Sequence, residues 1–206
     1  MKNQVEMCIP TQQIEYSPST SILTTTTTST SSTTTTSTTT TTPPPPCPDS
    51  TWTLFDRGNY SWCMKVYFGT VYVDSADASC ASLDSSAVLS GFQNVSEISK
   101  MMNVALSEYP TIIWLMVGAK RREACEAVVG VTSTCTAQNS FYWTDGYTYG
   151  SEGFNWWNGI PTNPEIAYGR YYMYCVVNAN NDFLSTTEDD KTGFYLGAVC
   201  GMLAKV

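Results

Sequence analysis

Residues 141–175 read FYWTDGYTYGSEGFNWWNGIPTNPEIAYGRYYMYC. Twelve of these positions are Phe, Tyr or Trp, interleaved with Gly, Pro and Asn. No helical period survives in the stretch, and Gly and Pro interrupt it too often for one strand. A long irregular segment inside a compact domain is uncommon and often functional. Two readings of its rings are open. They are the core of a small domain short of aliphatic residues, or they form a binding surface, because aromatic rings with side-chain amides suit recognition of sugars or proteins.

Outward from this stretch the chain is uneven. Residues 24–42 are only Ser and Thr, and Pro43–Pro46 follow. Such a run cannot bury enough apolar surface to offset its ordering entropy, so an extended or disordered segment is expected. Three parts result: residues 1–18, polar, carrying Cys8 and without an assigned fold; residues 19–46, a Ser/Thr/Pro-rich linker; and residues 47–206, about the size of one domain. The linker reads as an O-glycosylated, mucin-like stalk, with an unmodified flexible linker as the alternative.

A net charge of −8 disfavours nucleic acid, whose phosphates call for a basic face. The one basic cluster, Lys120-Arg121-Arg122, reads as a solvated turn. No apolar run approaches the roughly 20 residues of a membrane span, and Ile112–Ala119 reads as a buried strand. There is no histidine, which removes the usual general base and both the Ser/His/Asp and Cys/His arrangements. Carboxylate-only chemistry would remain, and no acid pair is recognisable, so no enzyme is expected.

Eight cysteines occur, at 8, 47, 63, 80, 125, 135, 175 and 200, with no CxxC pair that would indicate a zinc ribbon or a thioredoxin-like site. Their even number, their spacing and the stalk point to disulfides and a secreted, extracellular protein. The opening MKNQVEMCIPTQQIEY has no apolar core of a signal peptide. Either this start is misassigned or truncated, or export is unusual; the cysteines and the stalk carry more weight here.

Within 47–206, two short strands are expected about the polar turn Asp56-Arg57-Gly58-Asn59. Trp62, Met64, Val66 and Phe68 alternate with Cys63, Lys65 and Tyr67 as in a half-buried strand. Cys47 and Cys63 end this hairpin, which makes a local bridge natural. A short helix over 74–84 carries Cys80, and Ala87–Ser90 reads as a brief buried strand. Residues 94–109 form the clearest helix, with Ile98, Met101, Met102, Ala105 and Leu106 at helical spacing and Asn94 and Glu97 as a capping-box pair. Asn59 and Asn94 also begin glycosylation sequons, and at Asn94 the glycan and the cap compete. Cys125 and Cys135 lie close enough to staple a loop. Tyr174–Val177 and Phe194–Met202 read as strands around a polar loop holding Glu188-Asp189-Asp190. The pattern is that of an α+β domain.

The order Trp62-Cys63, Cys80, GAKRR with Cys125, Cys135, WTDG, F-x-W-x-x-G-x-P, YCVV, the acidic pair and LGAVCG resembles the C-type lectin-like domain from Cys47 to about Lys205, and more narrowly its nematode secreted branch. The resemblance implies a double-loop fold with two helices and antiparallel sheets behind the stalk. It implies the bridges Cys47–Cys63, Cys125–Cys135 and Cys80–Cys200, the last closing a loop that contributes roughly 4–5 kcal/mol in the chain-entropy model. Met116 stands where the family usually has a core tryptophan. The family's cysteine after the acidic pair is missing, near Gly193, which orphans Cys175. Either Cys8–Cys175 forms, or one or both pair with another chain.

Sugar-binding members hold Ca²⁺ with side-chain oxygens on both sides of a proline plus acidic or amide groups downstream, and Ca²⁺ needs six to eight oxygens. In Ile160-Pro161-Thr162 the first flank has no side-chain oxygen. Asn163-Pro164-Glu165, with Asp189 and Asp190, is the chemically competent alternative. The implied function is an extracellular module that recognises carbohydrate, without the usual calcium site, through Trp156, Trp157, Asn163, Glu165, Asp189 and Asp190. The alternatives are a lectin-like domain for protein or lipid surfaces, and a disulfide-linked matrix or mucus component. Expected partners are glycans or glycoproteins, with another chain through Cys8 or Cys175 as an open alternative. A role in innate immunity would follow from the resemblance alone.

Overall fold

The computed structural model describes residues 46–112, 114–128, 131–159, 161, 172–188 and 194–205. The expectations for residues 1–18, for the linker up to 45 and for Cys8 lie outside them. All of the described residues belong to the unit Thr42–Val206.

A hairpin opens the domain: β1 (Thr53–Asp56) pairs antiparallel with β2 (Ser61–Tyr72). A short helix α1 (Ala76–Ala81), a two-residue strand β3 (Val88–Leu89) and the long helix α2 (Val95–Glu108) follow. The second half supplies β4 (Trp114–Arg121), β5 (Phe141–Trp143), β6 (Tyr172–Asn178), β7 (Phe183–Glu188) and β8 (Phe194–Leu203). The sheet runs β1-β2-β8-β4-β6-β7, with β3 added to β8 and β5 to β4. The last strand therefore lies beside β2 near the start, in antiparallel register from Trp62↔Leu203 to Tyr72↔Phe194. Lys205 N donates to Pro46 O at 3.3 Å, so the two ends of the domain meet.

The hairpin strand is buried on both faces. Trp62, Met64 and Val66 enter one core cluster with α2 and the aromatic stretch, while Cys63 enters a second with α1, Cys80 and Cys200. Gly201 permits this: a Cβ there would collide with the indole of Trp62. Met116 is fully buried in the second cluster with Val176 and Ala198. Disulfides join Cys47–Cys63, Cys80–Cys200 and Cys125–Cys135.

Asn94 caps α2, its Oδ1 accepting from Glu97 N at 3.1 Å. Glu97 returns to Gln93 N, at 2.7 Å, one residue before the position a capping box uses. The competition expected between cap and glycan does not hold atom by atom. The cap uses Oδ1, and an N-glycan attaches at Nδ2.

Three local expectations are corrected. Arg57, placed in a polar turn, has a side chain 1 % exposed and pairs with Glu97, 5 % exposed, through Nη2–Oε2 at 2.7 Å and Nε–Oε1 at 2.9 Å. Lys120 and Arg121, read as a solvated turn, lie in β4, with Arg121 buried and its guanidinium 4.8 Å from the Phe141 ring centre. The polar loop before the last strand contains β7: the turn through Asp182, at φ 56°, folds Phe183–Glu188 back onto β6. The β-branched run after Phe183-Leu184 favours that strand, and Leu184 is fully buried.

The Arg57–Glu97 pair should govern stability. Removing one partner of a buried pair strands the other charge, so Arg57→Ala is expected to lower the unfolding free energy by about 3–5 kcal/mol. Urea denaturation measures this, and a loss below 1 kcal/mol would show that the pair is dispensable.

Candidate functional site

The aromatic stretch divides into an inner and an outer set of rings. Trp143 stacks on Phe154 with centroids 4.1 Å apart, and Phe154 stacks in turn on Trp156 at 5.5 Å. Phe141 tilts against Trp156 at 5.0 Å. The two indoles find acceptors inside: Trp143 Nε1 donates to Gly150 O at 3.2 Å and Trp156 Nε1 to Ala137 O at 2.6 Å. These four rings are core. Gly153 lets the chain pass against the Phe92 carbonyl, where a Cβ has no room.

Asp145 of WTDG organises the next turn. Its Oδ1 accepts from Tyr147 N at 2.9 Å and Thr148 N at 2.7 Å, and its Oδ2 from Gly91 N at 2.7 Å and Thr148 Oγ1 at 2.6 Å. Thr148 Oγ1 also accepts from Arg57 Nη1 at 3.0 Å. The loop is thereby tied to the ion pair, and it presents Tyr147 and Tyr149 outward.

Of the two tryptophans expected against sugar, Trp156 is 4 % exposed and Trp157 is 48 % exposed. Trp157 opens a 3₁₀ turn and meets the edge of Phe183 at 5.6 Å. The preceding residues lock this turn to the β6–β7 hairpin. Leu184 N donates to Asn155 O at 2.7 Å, Asn155 Nδ2 donates to Asp182 O at 3.1 Å, and Trp156 bridges Leu184 in parallel. An exposed indole on an immobile base is suited to cover the apolar face of a ligand.

Asn163, Glu165, Asp189 and Asp190 lie outside the described residues, as do Ile160 and Thr162 of the first calcium frame. Pro161 is described and buried. Among the described residues no group of His, Cys, Asp and Glu is placed to hold a metal ion. Asn59 is exposed on the β1–β2 turn.

Cys175 lies in β6 between β4 and β7, opposite Val117 and Thr186, with a free and fully buried sulfur. Burial raises its thiol well above the ordinary value, against the opposing charge of Arg121. A bridge from it to Cys8 or to another chain needs these strands to part.

The Arg57–Glu97–Asp145 network and the tyrosine-lined surface over it have no local signature in the sequence. Nothing local marks Arg57 as buried, because its partners are 40 and 91 residues away in the chain. The run Phe183–Glu188 after an Asn-rich turn was a usable strand signal.

A family model described as C-type lectin domain-containing protein 141/158 matches residues 51–203. The chain belongs to that family. Its fold is a C-type lectin fold, and the family is one of binding modules rather than enzymes. The C-type lectin CEL-I from Cucumaria echinata is similar with TM-score 0.52 at 13 % identity, covering 76 % of this chain and 98 % of that one. The cow C-type carbohydrate-recognition domain of CD23, solved in the presence of GlcNAc2Man3 oligosaccharide, is similar with TM-score 0.52 at 17 % identity, covering 79 % and 99 %. The Ca²⁺-independent C-type lectin SPL-2 from Saxidomus purpuratus is similar with TM-score 0.50 at 17 % identity, covering 75 % and 92 %. At these identities the likeness is one of fold. No curated protein matches the chain. No helix among the described residues of this C-type lectin domain is long and apolar enough to cross a membrane.

The buried thiol gives a direct check. In the native lectin domain Cys175 should resist maleimide and label only when denaturant is added, read peptide by peptide in a mass spectrometer. Labelling of Cys175 within minutes in the native protein would refute its enclosure.

Proposed function

We propose that this C-type lectin domain is a secreted module that binds carbohydrate at the surface centred on Trp157, without the usual calcium frame. The observation that carries the reading is the exposed Trp157 ring, braced by Phe183 and anchored through Trp156. A flat indole covers the C–H face of a pyranose, and nearby polar groups set its orientation. Asn163, Glu165, Asp189 and Asp190 are assigned here to hydrogen bonds with sugar hydroxyls rather than to a metal. Trp156 supports the platform and does not touch the ligand.

Two further points favour the calcium-free form. Ile160 supplies no side-chain oxygen to the frame that best fits the upstream spacing. The fold also carries a lectin described as Ca²⁺-independent, SPL-2. Secretion is supported by the three disulfides, which persist in oxidising compartments.

The test is a glycan array probed with the full chain in calcium and in chelator. Binding should be the same in both, and Trp157→Ala should weaken it by about tenfold or more, equivalent to at least about 1.4 kcal/mol. The melting temperature of the variant should stay within a few degrees, since an exposed ring contributes little to the core. A blank array in both conditions overturns the sugar reading and favours a protein or lipid-surface ligand. Binding abolished by chelator overturns the calcium-free reading and returns Asn163, Glu165, Asp189 and Asp190 to a metal site.

A further inference from the structure

A second surface lies apart from Trp157. A cavity of about 540 Å³ opens beside the β1–β2 turn, and its lining includes Asn59, Tyr60, Gln93, Tyr147 and Tyr149. We infer that this cavity seats the inner sugars of an N-glycan carried by Asn59 itself.

The attachment point is built into the wall. Asn59-Tyr60-Ser61 is a sequon, and Asn59 is exposed. Its position is fixed by the turn: Arg57 N donates to Tyr60 O at 3.0 Å, Asn59 N to Arg57 O at 3.1 Å, and Gly58 N to Asp56 Oδ1 at 2.8 Å. Gly58, at φ 80°, supplies the left-handed residue that the turn requires. A glycan on Asn59 Nδ2 begins within the cavity lining.

The other walls suit a neutral sugar. Tyr149 is 65 % exposed and Tyr147 39 % exposed, yet both are held in place. Gln93 Nε2 donates to Tyr149 O at 3.0 Å, Tyr149 N donates to Gln93 Oε1 at 3.4 Å, and Tyr149 OH donates to Gly146 O at 3.1 Å. Tyr60 OH donates to Tyr147 O, and the Tyr147 ring lies 5.0 Å from Trp62. Rings that stay exposed while their positions are fixed lose little entropy when a ligand covers them. The cation in the lining, Arg57, is already paired with Glu97, so the cavity has no free positive charge to select an anion. The apolar face of N-acetylglucosamine fits against the tyrosines.

A tethered glycan is favoured over a free one by concentration. Attachment inside the lining gives the first sugars an effective concentration in the millimolar range or above, enough to fill a shallow site. The inference rests on the secretion proposed above, because only an exported chain is N-glycosylated. It is independent of Trp157.

The experiment uses the full chain secreted from a eukaryotic host, with Asn59→Gln and Ser61→Ala as two unglycosylated controls. Peptide mass spectrometry first reads occupancy at Asn59 and Asn94. Nitration of tyrosines by tetranitromethane is then followed in the intact protein. Tyr147 and Tyr149 should react at least about threefold more slowly in the glycosylated chain than in either control, with Tyr142 unchanged as reference. Equal rates with Asn59 occupied overturn the inference alone. Asn59 empty in the secreted chain, whatever the state of Asn94, also overturns it and leaves export standing; a chain that is retained in the cytosol of the host overturns it together with the export reading. Protection of the controls by free chitobiose, without self-protection in the glycosylated chain, replaces the tethered glycan with a soluble one and also overturns it.

Discussion

The buried pair Arg57–Glu97 holds the domain's parts to one another. A guanidinium and a carboxylate withdrawn from water are tolerated only when each is paired and hydrogen-bonded. Here Glu97 neutralises Arg57 through two contacts and also accepts from Gln93 N at the start of α2. Arg57 gives its remaining contacts to Thr148 and to the carbonyl of Gly91. Burial alone would lower the proton affinity of Arg57; the hydrogen bond and charge of Glu97 outweigh it and raise it. One residue thereby ties the first hairpin, the long helix and the loop after β5. Asp145 extends the same network into that loop, and the loop sets the outward tyrosines.

The aromatic richness of residues 141–175 serves two ends that adjacent residues divide between them. Trp156 turns inward, where its indole N–H finds a carbonyl, and Trp157 turns outward onto Phe183. The inner stack of Trp143, Phe154 and Trp156 supplies the packing that a chain poor in aliphatics needs over this span. It also makes the outer rings a fixed surface rather than a mobile one, and a fixed surface binds with less ordering cost. Irregular chain can therefore hold an exposed ring in a defined place.

The second half holds a free cysteine inside the core. Cys175 has no bonded partner, and its sulfur is instead packed among Val117, Val177 and the other core residues of the central sheet. Arg121, buried beside it and against Phe141, offsets part of the penalty for any thiolate but does not overcome it. Three other bridges keep the ends and one loop closed, the longest spanning 120 residues between α1 and β8. Cys175 thus serves as an ordinary buried residue.

Much of the fold was legible in the residues. The period-2 run at 62–68, the helical spacing from Ile98 to Leu106 and the cysteine order placed β2, α2 and the lectin-type architecture, because each is a local periodicity or an ordered motif. The division of Trp156 from Trp157 was not legible, since neighbouring identical residues carry no sign of which face they take. Nor was the fate of the charges: Arg57 and Arg121 read as turn residues, Glu97 as a helix-cap partner and Asp145 as part of a motif, and only partners distant in the chain make their burial favourable. Local patterns alone carry the class of domain, its core periodicities and its two Asn-x-Ser sequons. The tertiary structure decided which rings face water and which charges are buried, because both depend on contacts between segments that only folding brings together.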